Sequence, residues 1–382
     1  MNITIQPGAL KGAVTAPPSK SYTHRALVCA ALSDKACRIK NAGCGEDISA
    51  TLACIESFQT GAKLYNCRES GTTLRFFAPL SLLCGGGEFT GSPRLLERGI
   101  SEYERIFPEH GIFVEKSEGK IIVSGKLTAG EYILRGDVSS QFVSGLLLAL
   151  ARTEGDSTVR VLPPVESRSY VDMTVEVMRA FGVKAEEQEK NVFSVKGGQS
   201  YASGEYTVEG DWSNAAPFYA LSFLGHDIQI EGLNKKSLQP DRVCKEYFER
   251  LKNGNVSLDV SGCPDLAPLL MAFAALNYGG TLTGTHRLKL KESDRVQVMS
   301  EELTKYGCHI IINDNSVDII NSSLRAPTEP LSSHNDHRIA MALTPLCLAY
   351  GGTIGGAEAV NKSFGDFFKI VENLRQVHKN GI

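Results

Sequence analysis

The chain has 382 residues, 42% hydrophobic and 22% charged, with a formal net charge of −3. That is roughly two to three ordinary domains' worth of chain with ample core material, which excludes a disordered chain, a collagen-like repeat and a disulfide-stapled miniprotein. The charge balance excludes a uniformly basic surface for nucleic acid, so any cationic site must be local.

In chain order, Met1–Gly8 has neither the basic stretch nor the apolar run of a secretory signal. Ser19-Lys20-Ser21-Tyr22-Thr23-His24-Arg25 opens a helix of small and aliphatic residues, and Glu69-Ser70-Gly71-Thr72-Thr73-Leu74-Arg75 opens the next apolar body, 76–83. Strand 120–124 precedes a third opening, Val138-Ser139-Ser140-Gln141, whose body, 142–150, is apolar nearly all round. Such helices are buried rather than laid on a surface. Strand 158–162, helix 170–181 with its glycine stop at Gly182, and strand 191–195 follow. Three more openings come later: Gly210-Asp211-Trp212-Ser213, Cys263-Pro264-Asp265-Leu266 and His334-Asn335-Asp336-His337-Arg338. Apolar bodies 269–276 and 339–350 and strands 281–283 and 317–321 accompany them.

The openings keep a rhythm. Ser21, Thr72 and Ser140 are 51 and 68 residues apart; Ser213, Pro264 and Asp336 are 51 and 72 apart. Matching gaps predict a threefold unit duplicated once, giving two domains of three repeats each. Buried central helices with sheets outside them would be an inside-out α/β arrangement. The longest strongly apolar stretch, 145–151, is far short of the ~20 residues that cross a bilayer. The ten cysteines include no C-x-x-C pair and read as small buried hydrophobes in a reducing, cytoplasmic setting.

Charge concentrates at the openings. Helix amino termini carry orphan N–H groups and a favourable dipole for anions, and here they stand beside Lys20, Arg25, Arg75 and Arg338. Each alone reads as an N-cap with a solvated basic neighbour; together they suggest helix tips that bind a multiply anionic ligand. Lys289-Leu290-Lys291-Glu292-Ser293-Asp294-Arg295 is either a solvated helix start or an acid/base carboxylate set among phosphate-binding cations. Asp265 is either an N-terminal dipole complement or a general base. His334 and His337 lack a third metal ligand of convincing spacing, and Arg338 would repel a dication, so no metal is expected. No phosphate loop, dinucleotide-binding context or nucleophile elbow is present.

Nine segments in order resemble the enolpyruvyl transferases, and within them the 5-enolpyruvylshikimate-3-phosphate synthase family: 18–25, 70–75, 93–98, 139–142, 166–170, Pro264-Asp265, 291–295, 335–338 and 361–364. The resemblance implies an α/β, two-domain inside-out barrel of six βαβαββ-type repeats, three per domain. Residues 1–18 and 209–382 would form a discontinuous domain and 19–208 an inserted one, with the active site in the cleft between them. It implies transfer of the enolpyruvyl group of phosphoenolpyruvate to the 5-hydroxyl of 3-phosphoshikimate. Carried over by position, Lys20, Ser21, Arg25, Ser139, Ser140, Gln141, Ser167, Tyr170, Asp265 and Lys291 would hold 3-phosphoshikimate. Lys20, Gly71, Arg75, Arg98, Gln141, Arg295, Arg338 and Lys362 would hold phosphoenolpyruvate. Asp265 would be the base for the hydroxyl, Glu292 would exchange the methylene proton, and Lys20 would stand at the transferring centre. No cofactor, nucleic acid or membrane is implied, and the chain would act as a monomer.

Three positions depart from the family pattern. Glu69 replaces the more usual Asn, and Gly99 and Gly365 stand where proline is common, which should loosen those turns. The sister enzyme that uses UDP-N-acetylglucosamine carries a Lys-Asn pair where this chain has Lys20-Ser21, and a loop cysteine or aspartate; 94–105 contains no cysteine. A non-catalytic anion-binding module would not need Asp265 and Glu292 beside the cations.

Overall fold

In this computed structural model the backbone is described for residues 1–380 and the side chains for residues 1–375. The chain divides into two compact units: Pro18–Glu209, inserted in the sequence, and a discontinuous unit of Met1–Pro17 with Gly210–Ile382.

The inserted unit contains helices α1 (Lys20–Ala31), α2 (Glu46–Thr60), α3 (Gly71–Ser81), α4 (Pro93–Arg98), α5 (Ser101–Ile106), α6 (Ser140–Leu150) and α7 (Arg168–Ala180). Two four-stranded sheets share one topology. Leu64–Asn66 runs parallel to Gly86–Thr90, which pairs antiparallel with Lys120–Ser124 and through it with Phe113–Ser117. Glu131–Arg135, Ser157–Leu162, Val192–Val195 and Ala185–Glu189 repeat the pattern. Each is a strand–helix–strand–helix–strand–strand unit. The strands alternate as a half-covered sheet should, with Ile121 and Val123 buried on one face of Lys120–Ser124. By contrast α6 is buried from Phe142 to Leu150 on every side, so it runs through the interior with sheets outside it. The third repeat is pared to Arg38–Lys40 parallel to Glu205–Thr207, strands from opposite ends of the unit.

The discontinuous unit contains α8 (Trp212–Phe223), α9 (Cys244–Lys252), α10 (Ala267–Ala275), α11 (Arg295–Lys305), α12 (His337–Tyr350) and α13 (Phe367–Asn380). Ser257–Asp259, Gly280–Thr283, Ser316–Ile320 and His309–Ile312 rebuild the four-stranded pattern. Leu331–Ser332 and Gly352–Gly355 pair in parallel and are completed by Asn2–Ile5, while Lys11–Thr15 pairs with Asp227–Glu231. Helices α10 and α12 are buried almost throughout, and α8 over most of its length. The two units have separate hydrophobic cores.

The six repeats are therefore present; among the described residues three carry the full four-stranded sheet, and the others are reduced to sheets of two or three strands that draw on strands distant in sequence. Strand 192–195 starts one residue later than expected, since Asn191 turns the chain at φ 65°. Gly99 corrects another expectation: its φ of 51° is closed to proline, so glycine there meets a backbone requirement rather than loosening a turn. Seven cysteines are buried as expected, but Cys44 and Cys84 are exposed and Cys37 is half-buried. Among the described residues no helix is long and apolar enough to cross a membrane.

Candidate active site

In the inserted unit the site residues gather at the amino-terminal tips of buried helices. Ser19 caps α1, accepting from the Tyr22 amide, and puts Lys20 at the first helical position. Lys20 Nζ lies 2.8 Å from Asp47 Oδ2 on α2. One turn on, Arg25 is only 2% exposed. It donates to Thr174 Oγ1 (2.7 Å), the Ser21 carbonyl (2.7 Å), the Tyr170 carbonyl (2.8 Å) and Ser144 Oγ (3.4 Å). All four acceptors are neutral, and burial pulls its pKa down to about 10. A guanidinium desolvated among neutral oxygens gains from an incoming anion more than one already paired with a carboxylate.

Ser70 caps α3 and Ser139 caps α6, each by accepting an amide N–H in the first turn. Gln141, at the α6 tip, accepts from Arg75 Nη1 (2.6 Å) and donates to Thr72 Oγ1 (2.9 Å). Arg75 Nε and Nη2 donate to the Gly99 and Arg98 carbonyls, both at 3.2 Å, and its guanidinium lies 5.1 Å over the Phe142 ring. Gly71 leaves room for this arrangement. A Cβ there would meet Arg98 Nη2 at 3.0 Å and Arg75 Nη1 at 3.1 Å. Gly71, Arg75, Arg98 and Gln141 thus form one group, and Ser21, Arg25 and Tyr170 another. Ser167, at φ 55°, turns the chain into α7 and sets Tyr170 in its first turn.

In the discontinuous unit Lys291, Arg295 and Arg338 interlock with Asp265, Glu292 and Asp336. Asp265 Oδ1 is 2.7 Å from Arg295 Nη1 and 3.4 Å from Lys291 Nζ, and its Oδ2 is 3.4 Å from Arg338 Nη2. Arg295, 1% exposed, also contacts Glu292 Oε2 (3.0 Å) and Asp336 Oδ2 (2.9 Å). Asp336 in turn caps α12 by accepting the Arg338 amide at 2.8 Å. Lys362 Nζ donates to the Asn335 carbonyl in the turn before that cap.

Burial would raise the Asp265 pKa, but Lys291, Arg295 and Arg338 outweigh it and hold the carboxyl well below the usual range. Burial lowers Lys291 to about 8, with Asp265 opposing and Arg295 adding to the fall. Asp241 is a second buried carboxyl whose Oδ2 accepts from Ser213. Burial first, and then the charge of Asp265, push it up to about 8.

These geometries bear on two alternatives left open by the sequence. Asp265 sits in the turn before α10, whose cap position is Leu266, and spends its oxygens on cations rather than on capping. The 289–295 segment is graded: Lys289 and Leu290 are exposed, 291–294 are half-buried, and Arg295 is buried. Asp47, Asp241, Asn214 and Thr174 escaped the sequence reading. Asp47 looks like an ordinary acidic residue in a first turn, and nothing in the spacing links it to Lys20.

A family model described as EPSP synthase (3-phosphoshikimate 1-carboxyvinyltransferase) matches residues 5–371. A 3-phosphoshikimate 1-carboxyvinyltransferase of Clostridium kluyveri is 36% identical, with 97% of each chain covered; that of Clostridium acetobutylicum is 35% identical at the same coverage. Among solved structures, EPSP synthase from Acinetobacter baumannii superposes with a TM-score of 0.78 at 24% identity, covering 98% of both chains. The enolpyruvyl transferase NikO from Streptomyces tendae shares the fold at 0.74 and 15% identity, over 97% of this chain and 96% of its own. With a family model spanning nearly the whole sequence and relatives matched along their full length, the chain belongs to the EPSP synthase (3-phosphoshikimate 1-carboxyvinyltransferase) family.

Proposed function

We propose that this chain transfers the enolpyruvyl group of phosphoenolpyruvate to the 5-hydroxyl of 3-phosphoshikimate, releasing phosphate, a step of aromatic amino acid biosynthesis. The observation that carries the reading is the Asp265 carboxylate, held ionised by Lys291, Arg295 and Arg338 with Glu292 on the same arginine. An anion-binding module has no use for a preformed base inside its cation cluster.

The chemistry divides between two carboxylates. Asp265 accepts the proton of the 5-hydroxyl as the hydroxyl oxygen bonds to C2 of phosphoenolpyruvate, while Glu292, entering this step as the carboxylic acid, delivers its proton to the methylene carbon. The C2–O bond to phosphate then breaks, the departing phosphate carries off the proton held by Asp265, and Glu292, now a carboxylate, takes a proton back from the methyl group and restores the enol ether. Both oxygens of Asp265 are bound to cations, so it starts deprotonated and oriented. On this reading Lys20, Arg98, Arg295, Arg338 and Lys362 would take up the charge on the departing phosphate.

On this reading Ser21, Arg25, Ser139, Ser140, Ser167, Tyr170 and Lys291 hold 3-phosphoshikimate, and Gly71, Arg75 and Gln141 complete the phosphoenolpyruvate subsite. The neutral shell around Arg25 supports its assignment to an anionic substrate, and the packing of Gly71 against two guanidinium groups supports the donor subsite. The free cysteines suit a reducing cytoplasm. The test is phosphate release from phosphoenolpyruvate with 3-phosphoshikimate or UDP-N-acetylglucosamine as acceptor. Turnover is expected with the first; release with the second alone would overturn the reading.

A further inference from the structure

We infer that Asn214, a buried residue outside the substrate-contacting set, is a positioning residue that aligns Arg338 and the Lys362-Ser363 turn for phosphoenolpyruvate. The inference rests on the donor subsite proposed above and extends it to a residue in a different helix.

Asn214 is the third residue of α8 and is fully buried. Its backbone is pinned, because the N-cap Asp211 accepts its amide N–H through Oδ1 at 2.8 Å. Its side chain reaches two other elements. Oδ1 accepts from Arg338 Nη1 at 3.0 Å, on the first turn of α12, and from Ser363 Oγ at 3.3 Å. Nδ2 donates to the Ser363 carbonyl at 3.4 Å. One amide therefore grips a donor-subsite arginine and the residue next to a donor-subsite lysine.

The chemical type of this residue matters as much as its place. Arg338 is 5% exposed, and its Nη2 contacts Asp265 at only 3.4 Å. Among the described residues its Nε has no hydrogen-bond partner. Its best-formed side-chain bond is thus the one to Asn214. A carboxylate at that position would hold the guanidinium as firmly but would also cancel its charge. A neutral carbonyl oxygen fixes one edge of the fork and leaves the positive charge to the incoming anion. It also avoids adding another buried negative charge close to Asp211, Asp241 and Asp265, all of which act on Arg338. The bond to Ser363 works in the same direction. Lys362 donates to the Asn335 carbonyl at one end of its turn, and Asn214 clasps Ser363 at the other. Loss of the amide frees both cations at once.

The test uses full-length Asn214→Ala and Asn214→Ser, assayed for phosphate release with each substrate varied, alongside crystal structures of the variants. Expected is a KM for phosphoenolpyruvate raised about tenfold, the scale of a lost hydrogen bond to a charged group. The KM for 3-phosphoshikimate should stay within about twofold, because the interactions of Arg25 and Lys291 do not involve this amide. The crystal structures should show the Arg338 guanidinium and the Lys362-Ser363 turn displaced. Unchanged kinetics, or both KM values rising together, would overturn the inference. So would an undisplaced Arg338 in either variant, a readout that holds even if the unaltered enzyme proved to use a different acceptor, which would instead defeat the proposed reaction.

Discussion

Asp265 and Glu292 share one arginine, and the sharing separates their roles. Asp265 is bound through both oxygens to three cations, whereas the contact of Glu292 with Arg295 uses Oε2 at 3.0 Å. Asp265→Asn and Glu292→Gln should therefore each keep the fold and lower kcat by about 10²-fold or more, the scale of a lost general acid or base. Near-native kcat in either variant removes that residue from the mechanism. Lys291 sets a pH dependence. Its pKa in the fold is about 8 against an ordinary 10.5, lowered mainly by burial, with Asp265 and Glu292 opposing and Arg295 and Arg287 reinforcing the fall. Between those two values the unfolded chain holds a proton that the native chain does not, so this group's contribution to stability rises with pH across that window. Anion binding runs the other way, because the attractive charge is lost as pH rises through about 8. Asp241 ionises near the same pH and would weaken anion binding in the same direction. Calorimetric titration should show 3-phosphoshikimate affinity falling above about pH 8 in the native enzyme. In Lys291→Arg, which stays charged, that fall should shrink to what Asp241 contributes; if it persists undiminished there and vanishes in Asp241→Asn, the aspartate alone is responsible.

At the scale of elements, the α3 tip shows how a missing side chain makes room for two guanidinium groups. Gly71 begins a helix with ordinary helical geometry, so alanine costs nothing in backbone strain there. The cost is spatial, since a Cβ would press on both Arg98 and Arg75 at 3.0–3.1 Å. Gly71→Ala should leave the melting temperature within a few degrees and raise the KM for phosphoenolpyruvate severalfold, with little change for 3-phosphoshikimate. A large drop in melting temperature with unchanged KM would mean that glycine serves packing alone. Much of this level was legible in the sequence. Helices such as 142–150 announce their burial by being apolar on all sides, and Ser19, Ser70, Ser139 and Asp336 announce helix starts by their capping chemistry. Glycine at 71 beside Arg75 was legible for the same reason, because both lie in one opening. What was not legible depends on contacts between openings. Lys20 with Asp47, Arg25 with Thr174 and Arg338 with Asn214 are separated by 27, 149 and 124 residues, and no periodicity encodes which polar residue of one helix meets which cation of another. Gly99 failed differently: a glycine in a sequence does not reveal the sign of φ it adopts.

At the scale of the molecule, a chain of net charge −3 places candidate-site cations such as Lys20 and Arg338 in the first turns of helices, while surface pairs such as Lys40–Glu205 and Arg160–Glu131 neutralise charge elsewhere. The way the chain enters and leaves each unit bears on how it folds. At the crossing, the Ser19 amide donates to the Glu209 carbonyl at 2.8 Å, so the two ends of the inserted unit lie side by side; the Asp211 amide donates to the Pro17 carbonyl at 2.7 Å and closes the other unit in the same way. A unit with adjacent ends and its own buried core has what an independent domain needs. Residues 18–209 expressed alone should therefore melt cooperatively, and a featureless thermal transition would show that this unit depends on the rest of the chain. Residues 210–382 are not equivalent. Two of the sheets there need the amino-terminal segment, since Lys11–Thr15 pairs along the whole of Asp227–Glu231 and Asn2–Ile5 along Gly352–Gly355. Without it those strands become open edges, and Leu10 and Val14, both buried in that unit's core, are missing. The 210–382 fragment should be poorly soluble or molten alone, and adding a peptide of residues 1–17 should restore protected amides in Asp227–Glu231 and Gly352–Gly355 by hydrogen exchange. Full protection without the peptide would show that the amino-terminal strands decorate this unit rather than complete it.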